Sequence, residues 1–326
     1  MTININEFRN KMYKSPRLNE LFENFEKIAN GIDQVPYKIP KIDKSYLNKD
    51  DYLLHNYIFN KNLGTFFKHG ISSIPYLSEE ILRVDVAIKK LAEEEGIKRE
   101  APLTYWETSS ADGSRARTLA EYLNGLVVTL TDSPNMGNKV QFDLSPYHPY
   151  SYFYHGAFVD ICPKFLAKQT YHAAFKNKFD IIWENTTFQM YGNDRLEQLA
   201  FLNQSLKEDG LIILLEKMNS KNSGEYNLME MYKDDFKSKF FDKNQIAKKK
   251  ETILNTMEKG QVTKEELSNA ASKIFKYGYI IWNSTNFYEF VFSNSKSKIE
   301  KFVSYLPDAY VPQELIIEDS MVNTLW

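Results

Sequence analysis

Between residues 103 and 215, short apolar runs alternate with amphipathic stretches of helical spacing, and this alternation leaves the chain few architectures. The runs are residues 103–107, Leu126-Val127-Val128-Thr129-Leu130, Phe179-Asp180-Ile181-Ile182-Trp183 and Leu211-Ile212-Ile213-Leu214-Leu215. Between them, Ala116, Leu119, Ala120 and Leu123 form one helical face closed by Gly125, and Leu196, Leu199 and Leu206 mark another. A strand that is apolar along its length must be covered on both faces, as in a parallel sheet with helices on either side. The pattern therefore predicts an α/β fold. Two later runs, residues 277–282 and 287–292, flank Asn283-Ser284-Thr285-Asn286 and read as a hairpin with a polar tip.

The segment before residue 99 follows a different rhythm. Leu18, Leu21, Phe22, Phe25, Ile28 and Ala29 recur at helical spacing, with Gly31 as the stop. Pro36 and Pro40 make residues 31–44 an extended linker, and the aromatic stretch 51–67 reads as partly helical. Ser78-Glu79-Glu80 opens a helix with Ile81, Val84, Ile88 and Leu91 on one face, expected to stop near Gly96. Residues 1–98 are thus expected to form a helical lid or substrate region, and residues 99–326 the core. A lysine-rich insertion is expected at about 218–276, partly helical because Thr263-Lys264-Glu265-Glu266 has capping-box spacing. Its lysines read as a solvated helix face.

Bulk properties narrow the function. With 41 basic and 43 acidic residues the formal charge is −2, so no overall field calls for nucleic acid or an anionic membrane. The one cysteine, Cys162, can form no intrachain disulfide and reads as a small buried hydrophobe. The start MTININEFRN lacks the basic and apolar parts of a secretory signal, and no run reaches the ~18 apolar residues of a membrane helix. A soluble, cytoplasmic monomer or homodimer is expected. The five histidines show no metal-ligand spacing, so no metal site is expected; His148 and His155 are candidate general bases.

The chemistry is expected where the first strand meets the first helix of the alternating part. The turn reads Glu107-Thr108-Ser109-Ser110-Ala111-Asp112-Gly113. Small residues there let a backbone approach a ligand, and free N–H groups at a helix start face it. The phosphate-loop and dinucleotide glycine patterns are both absent. An acid at the strand end would repel a pyrophosphate but suits an ammonium or hydroxyls. Asp132, 25 positions beyond Glu107 at the end of the next strand, can accept two hydrogen bonds from a ribose diol.

Taken together, residues 103–217 resemble the core of class I S-adenosylmethionine-dependent methyltransferases. The family's first motif is an acid followed by glycines at alternate positions; here these are Glu107, then Ser109, Ala111 and Gly113, with only the last glycine kept. The resemblance implies a Rossmann-like, doubly wound, mostly parallel seven-stranded sheet ending in an antiparallel hairpin. It implies S-adenosylmethionine as cofactor, held by Glu107, Ser109, Ala111, Gly113, Asp132, Ser133, Ala157, Phe158 and Glu184. Gly156-Ala157-Phe158-Val159-Asp160 falls where the family places adenine contacts.

The expected activity is transfer of a methyl group to a small molecule. Asn185, Thr186 and Phe188 are candidates to border the transferred group, and Asn185, His155 and Tyr57 are the catalytic candidates. Residues 184–188 lack the Asn/Asp-Pro-Pro-Tyr sequence of enzymes that methylate amide or base nitrogens. Tyr52, Tyr57, Phe59, Phe66 and Phe67 are candidates to surround a sulfonium, where each ring face offers ~0.5–2 kcal/mol of attraction. Two alternatives share the site: cyclisation of the cofactor with release of methylthioadenosine, as in azetidine-2-carboxylate-forming enzymes, and a non-catalytic binding protein.

Overall fold

The computed structural model describes residues 3–99, 101–109 and 111–326. Eight strands form one sheet: β1 (Leu103–Thr108), β2 (Val127–Ser133), β3 (Ser151–His155), β4 (Phe179–Asn185), β5 (Leu206–Lys217), β6 (Tyr277–Ser284), β7 (Phe287–Ser293) and β8 (Asn323–Thr324). Their order is β3-β2-β1-β4-β5-β7-β6-β8. β1 to β5 pair in parallel, and β7, between β5 and β6, runs antiparallel to both. The doubly wound sheet and its closing hairpin are as expected. The two-residue β8 pairs with β6 and makes the sheet eight-stranded where seven were expected.

Side-chain alternation explains the two-sided burial. Trp106, Val128, Leu130, Ile182, Ile212 and Leu214 point into one core. Leu103, Tyr105, Val127, Ile181, Trp183, Leu211 and Ile213 point into the other. Each core buries dozens of apolar side chains, at ~1.5–3 kcal/mol for a fully buried large one. Residues 1–98 supply both: Phe8, Met12, Leu21, Phe25 and Ile28 cover the first face, and Tyr52 to Ala92 cover the second. This segment is therefore the sheet's cover on both sides as well as a roof over its end.

Local signals mostly hold. Gly31 takes φ +67 after the helix Phe22–Ala29, and Thr263 and Glu266 form the capping box. The helix opened at Ser78-Glu79-Glu80 runs Leu77–Arg99, past Gly96, because a helix tolerates a glycine at a modest cost of ~1 kcal/mol. Leu206 starts β5; the preceding helix is Arg195–Ser205. The hairpin tip is buried, since Thr285 N–H reaches the Leu315 carbonyl at 2.6 Å and Asn286 Nδ2 reaches the Tyr226 carbonyl at 3.2 Å.

Strand order reverses between β1 and β4. The chain leaves these neighbours toward opposite faces, and a crevice opens at their carboxyl ends.

Candidate functional site

The turn after β1 carries an unusual backbone. Ser109, Ala111 and Gly113 have φ of +44, +67 and +72, so alternate residues all lie in the left-handed region. Only Gly113 does so without cost; a residue with a Cβ gives up roughly 1–2 kcal/mol there. The chain thus keeps glycine-like geometry at the two positions where it has lost the glycine. Gly113 then caps the helix Ser114–Tyr122. Ser110 lies outside the described residues.

The acids around the turn have separate jobs. Glu107 is fully buried and points to the helix, where its Oε2 accepts the Ala116 N–H at 3.0 Å. That orientation braces the turn and does not face the cavity described below. Asp132 lies on the other face of the sheet. It accepts the Trp106 indole N–H at 2.7 Å and the Ser109 hydroxyl at 3.1 Å. Burial pushes its carboxyl up to about 7, against the pull of those donors. Ser133 Oγ accepts from Asn138 Nδ2 at 2.9 Å and shapes the loop after β2. Glu184 Oε1 accepts the N–H groups of Thr187 and Phe188, capping the short helix Phe188–Tyr191. Burial and the neighbouring Glu216 carboxylate raise Glu184 well above the usual carboxylate range.

A cavity of about 120 Å³ opens at the ends of β1, β4 and β5. Ser109, Ala111, Asn185 and Thr186 form its floor, while Phe25, Phe66 and Phe67 form an aromatic wall. The opposite wall is cationic, made by Lys217 from the end of β5 and Lys233, Lys237 and Lys249 from the insertion; Arg17 and His69 also line the cavity. All four lysines are buried. Glu230 pairs with Lys217 at 2.9 Å and with Lys233, and Asp234 approaches Lys237 at 3.4 Å. Lys249 meets only neutral partners among the described residues, His69 Nε2 at 2.5 Å and Ser73 Oγ at 3.1 Å. His69 Nδ1 donates to the Gln34 carbonyl at 3.0 Å, which assigns Nε2 as the acceptor from Lys249. Burial and Lys233 push Lys237 down to about 8; burial and the other lysines push Lys249 well below the ordinary lysine range. The Asn185 Oδ1, the Gln189 Oε1 and two guanidinium nitrogens of Arg17 are buried with no protein partner among the described residues.

The expected residues divide accordingly. Ser109, Ala111 and Asn185 reach the cavity, and Asp132 sits beside it through Ser109. Ala157 and Phe158 follow β3 but are buried in the core, with Phe158 edge-on to Tyr191 and Phe201. Two catalytic candidates lie away from the cavity. Tyr57 is 70% exposed, because the helix Asp50–Asn62 turns Tyr52, His55 and Phe59 inward and leaves Tyr57 on the opposite side. His155 ends the edge strand β3 and meets the Pro134 carbonyl at 3.2 Å, outside the cavity. Of the five aromatic candidates, only Phe66 and Phe67 line it. The reading of the insertion lysines as a solvated face is corrected for Lys233, Lys237 and Lys249, which are buried, while most of the others are exposed. Tyr226, Met229, Lys233 and Lys237 recur at the three- and four-residue spacing of the buried face of Ser223–Ser238, a signal present in the sequence. A five-residue π-helical turn, Lys250–Leu254, follows Lys249. Arg17 and His69 carried no sequence signal.

No protein-family model matches the chain, and no curated protein matches it. Among solved structures it is similar to the plantazolicin methyltransferase BpumL in complex with a monoazolic desmethylPZN analog and SAH. That match has 11% identity and a TM-score of 0.48, and it covers 89% of this chain and 98% of that one. It is also similar to a probable spermidine synthase from Corynebacterium glutamicum ATCC 13032, at 11% identity and TM-score 0.42, over 71% and 72% of the two chains. The cyclopropane synthase MmaA2 from Mycobacterium tuberculosis matches at 14% identity and TM-score 0.40, over 70% and 71%.

Proposed function

We propose that the chain binds S-adenosylmethionine at the carboxyl ends of β1, β2 and β4 and methylates a small-molecule acceptor held in the lysine-walled cavity. The observation that carries this is the run of left-handed residues at 109, 111 and 113, with Asp132 bonded to the first of them. Strain of that kind persists where surrounding structure enforces it, and such places are enriched in ligand sites.

The residues present fit the cofactor. Asp132 offers acceptor oxygens suited to a ribose diol, and the small side chains of the turn leave the backbone accessible. The unpartnered Asn185 and Gln189 oxygens can accept from an ammonium. When bound, S-adenosylmethionine supplies a methyl group already activated for displacement. The chain's work is then positioning and water exclusion. Asn185 and Thr186 define the floor on which an acceptor rests; Phe66, Phe67 and Phe25 keep it dry.

Titration calorimetry with S-adenosylmethionine tests the binding, which Asp132→Ala should weaken at least tenfold. Absence of binding would leave the silent reading. Mass spectrometry of the protein incubated with the cofactor alone tests the reaction. Methylthioadenosine formed without an acceptor would replace methyl transfer by cyclisation.

A further inference from the structure

We propose that the acceptor bound beside the turn is a multiply charged anion, carrying a phosphate ester or a cluster of carboxylates, gripped by Lys217, Lys233, Lys237, Lys249 and Arg17. This rests on the proposed function for the word acceptor, but the anion site stands on its own geometry.

Five cationic side chains line one cavity, and the carboxylates of Glu230 and Asp234 are those paired with its lysines among the described residues. The four lysines exceed those two carboxylates by two, and Arg17 has Asp132 and Glu26 near it without an ion pair to either among the described residues. Buried cations are costly unless something neutralises them. A membrane surface or nucleic acid is too large for this cavity, so the missing charge belongs to a small ligand.

Lys249 is 8% exposed, and His69 and Ser73 hold its ammonium in place without neutralising it. Arg17 is 1% exposed, donates to Asn135 Oδ1 at 2.5 Å, and keeps two further nitrogens without a partner. Its guanidinium carbon lies over the Phe25 ring, 4.5 Å from the centroid, within cation–π range. Lysines act as point charges and arginine as a flat fork, a pairing suited to phosphate oxygens. The depressed lysines agree with a site that gains protons as the anion arrives.

The test is titration calorimetry with inorganic pyrophosphate, inorganic phosphate and citrate at matched ionic strength, on the whole protein. Wild type should bind at least one of them above a chloride control, and Lys249→Met and Lys237→Met should each weaken it by roughly tenfold or more. Lys249→Met should melt no lower than wild type without ligand, because it removes a buried amine with no carboxylate partner among the described residues; Lys237→Met also removes the pair with Asp234, so its binding is compared at a temperature where its own melting curve shows it folded. This separates lost binding from lost folding. Pyrophosphate binding without citrate binding assigns a phosphate ester, and the reverse assigns carboxylates; either supports the inference. No anion binding above chloride, or equal binding by the variants, overturns it. S-adenosylmethionine binding without anion binding would sink this inference alone. Anion binding without S-adenosylmethionine binding would sink the proposed function alone.

Discussion

The left-handed turn can be tested by adding and removing single methyl groups. At Gly113, alanine would keep φ +72 and bring its Cβ to 2.9 Å from Phe142 Cδ2 and 3.3 Å from Thr131 Oγ1. The backbone cost is ~1–2 kcal/mol, moving a half-buried ring adds ~1, and a stiffer unfolded chain returns ~0.4–1. The net is a loss of ~2 kcal/mol. With ~2.1 cal/mol/K per residue over 326 residues, the unfolding entropy is ~0.7 kcal/mol/K, so Tm should fall by ~3 °C. Ala111→Gly runs the other way. It relieves ~1–2 kcal/mol of strain, gives up ~0.8 for one buried methyl and ~0.4–1 in chain entropy, and should leave Tm within ~1 °C of wild type. Ala116→Gly is the control: also buried, but at ordinary helical φ. It loses the same methyl and ~1 kcal/mol of helix propensity with no strain to relieve, which again is ~3 °C. Differential scanning calorimetry of the three variants decides the matter. If Ala111→Gly melts as low as Ala116→Gly, or Gly113→Ala melts with wild type, the turn is not left-handed at these positions and the main support for cofactor binding is gone.

Two pH dependences follow from the buried charges. Asp132 has its folded value near 7 and its ordinary value near 3.8, so the folded state takes up the proton first as pH falls. Its contribution to the free protein's stability therefore falls as pH rises from about 4 to 7. S-adenosylmethionine affinity should move the opposite way, dropping up to tenfold per pH unit below 7, and Asp132→Asn should flatten both curves in calorimetric titrations. Lys237 sits among Lys217, Lys233, Lys249, His69, Glu230 and Asp234, with its folded value near 8 and an ordinary value near 10.5. The free protein should gain stability as pH rises from 8 to 10.5, while affinity for sulfate, whose charge is constant there, should fall. Parallel rather than opposed curves would show that the lysines do not hold the anion.

What was legible in the sequence follows from how local the signals are. The parallel strands announced themselves because burial on both faces leaves no polar alternation. β3 did not: Ser151-Tyr152-Phe153-Tyr154-His155 is an edge strand with half-exposed tyrosines, and nothing in its composition separates it from a loop. The turn was legible by order and spacing, although its substituted glycines hid how faithfully the backbone holds its form. Glu107 was legible as the acid that ends β1, but its bond to the Ala116 N–H was not, since which way a strand-end carboxylate turns depends on the helix packed above it. The cationic wall was misread for a different reason. Lysines suggest solvent, and only a cavity shared by β5, two insertion helices and the helix Thr65–Ile71 turns their positions on a helical face into a buried wall. Arg17 lies more than a hundred residues from Asn135, its hydrogen-bond partner, and no local pattern could join them.

The turn and the aromatic wall are tied together, so the proposed cofactor and acceptor sites should be interdependent. Asp112 accepts the Phe67 N–H at 3.0 Å and the Ser114 N–H at 3.1 Å, so a single carboxylate ties the start of the helix Thr65–Ile71 to the start of the helix after the turn. Gly64 donates its N–H to Ser114 Oγ at 2.8 Å and lies so close that a Cβ there would stand 2.4 Å from Asp112 Oδ2. Gly64→Ala must therefore move either Asp112, and with it the turn, or the helix that carries Phe66 and Phe67. Its φ of −84 is ordinary, so no backbone strain confuses the result. We expect this variant to weaken S-adenosylmethionine and pyrophosphate together, each by about tenfold, the equivalent of ~1.4 kcal/mol. Lys249→Met should weaken the anion alone. Titration calorimetry of both ligands on both variants separates a shared scaffold from two independent pockets. A Gly64→Ala protein that loses one ligand and binds the other normally would break the link, because the carboxylate at position 112 would then be adjusting to the extra methyl without transmitting it.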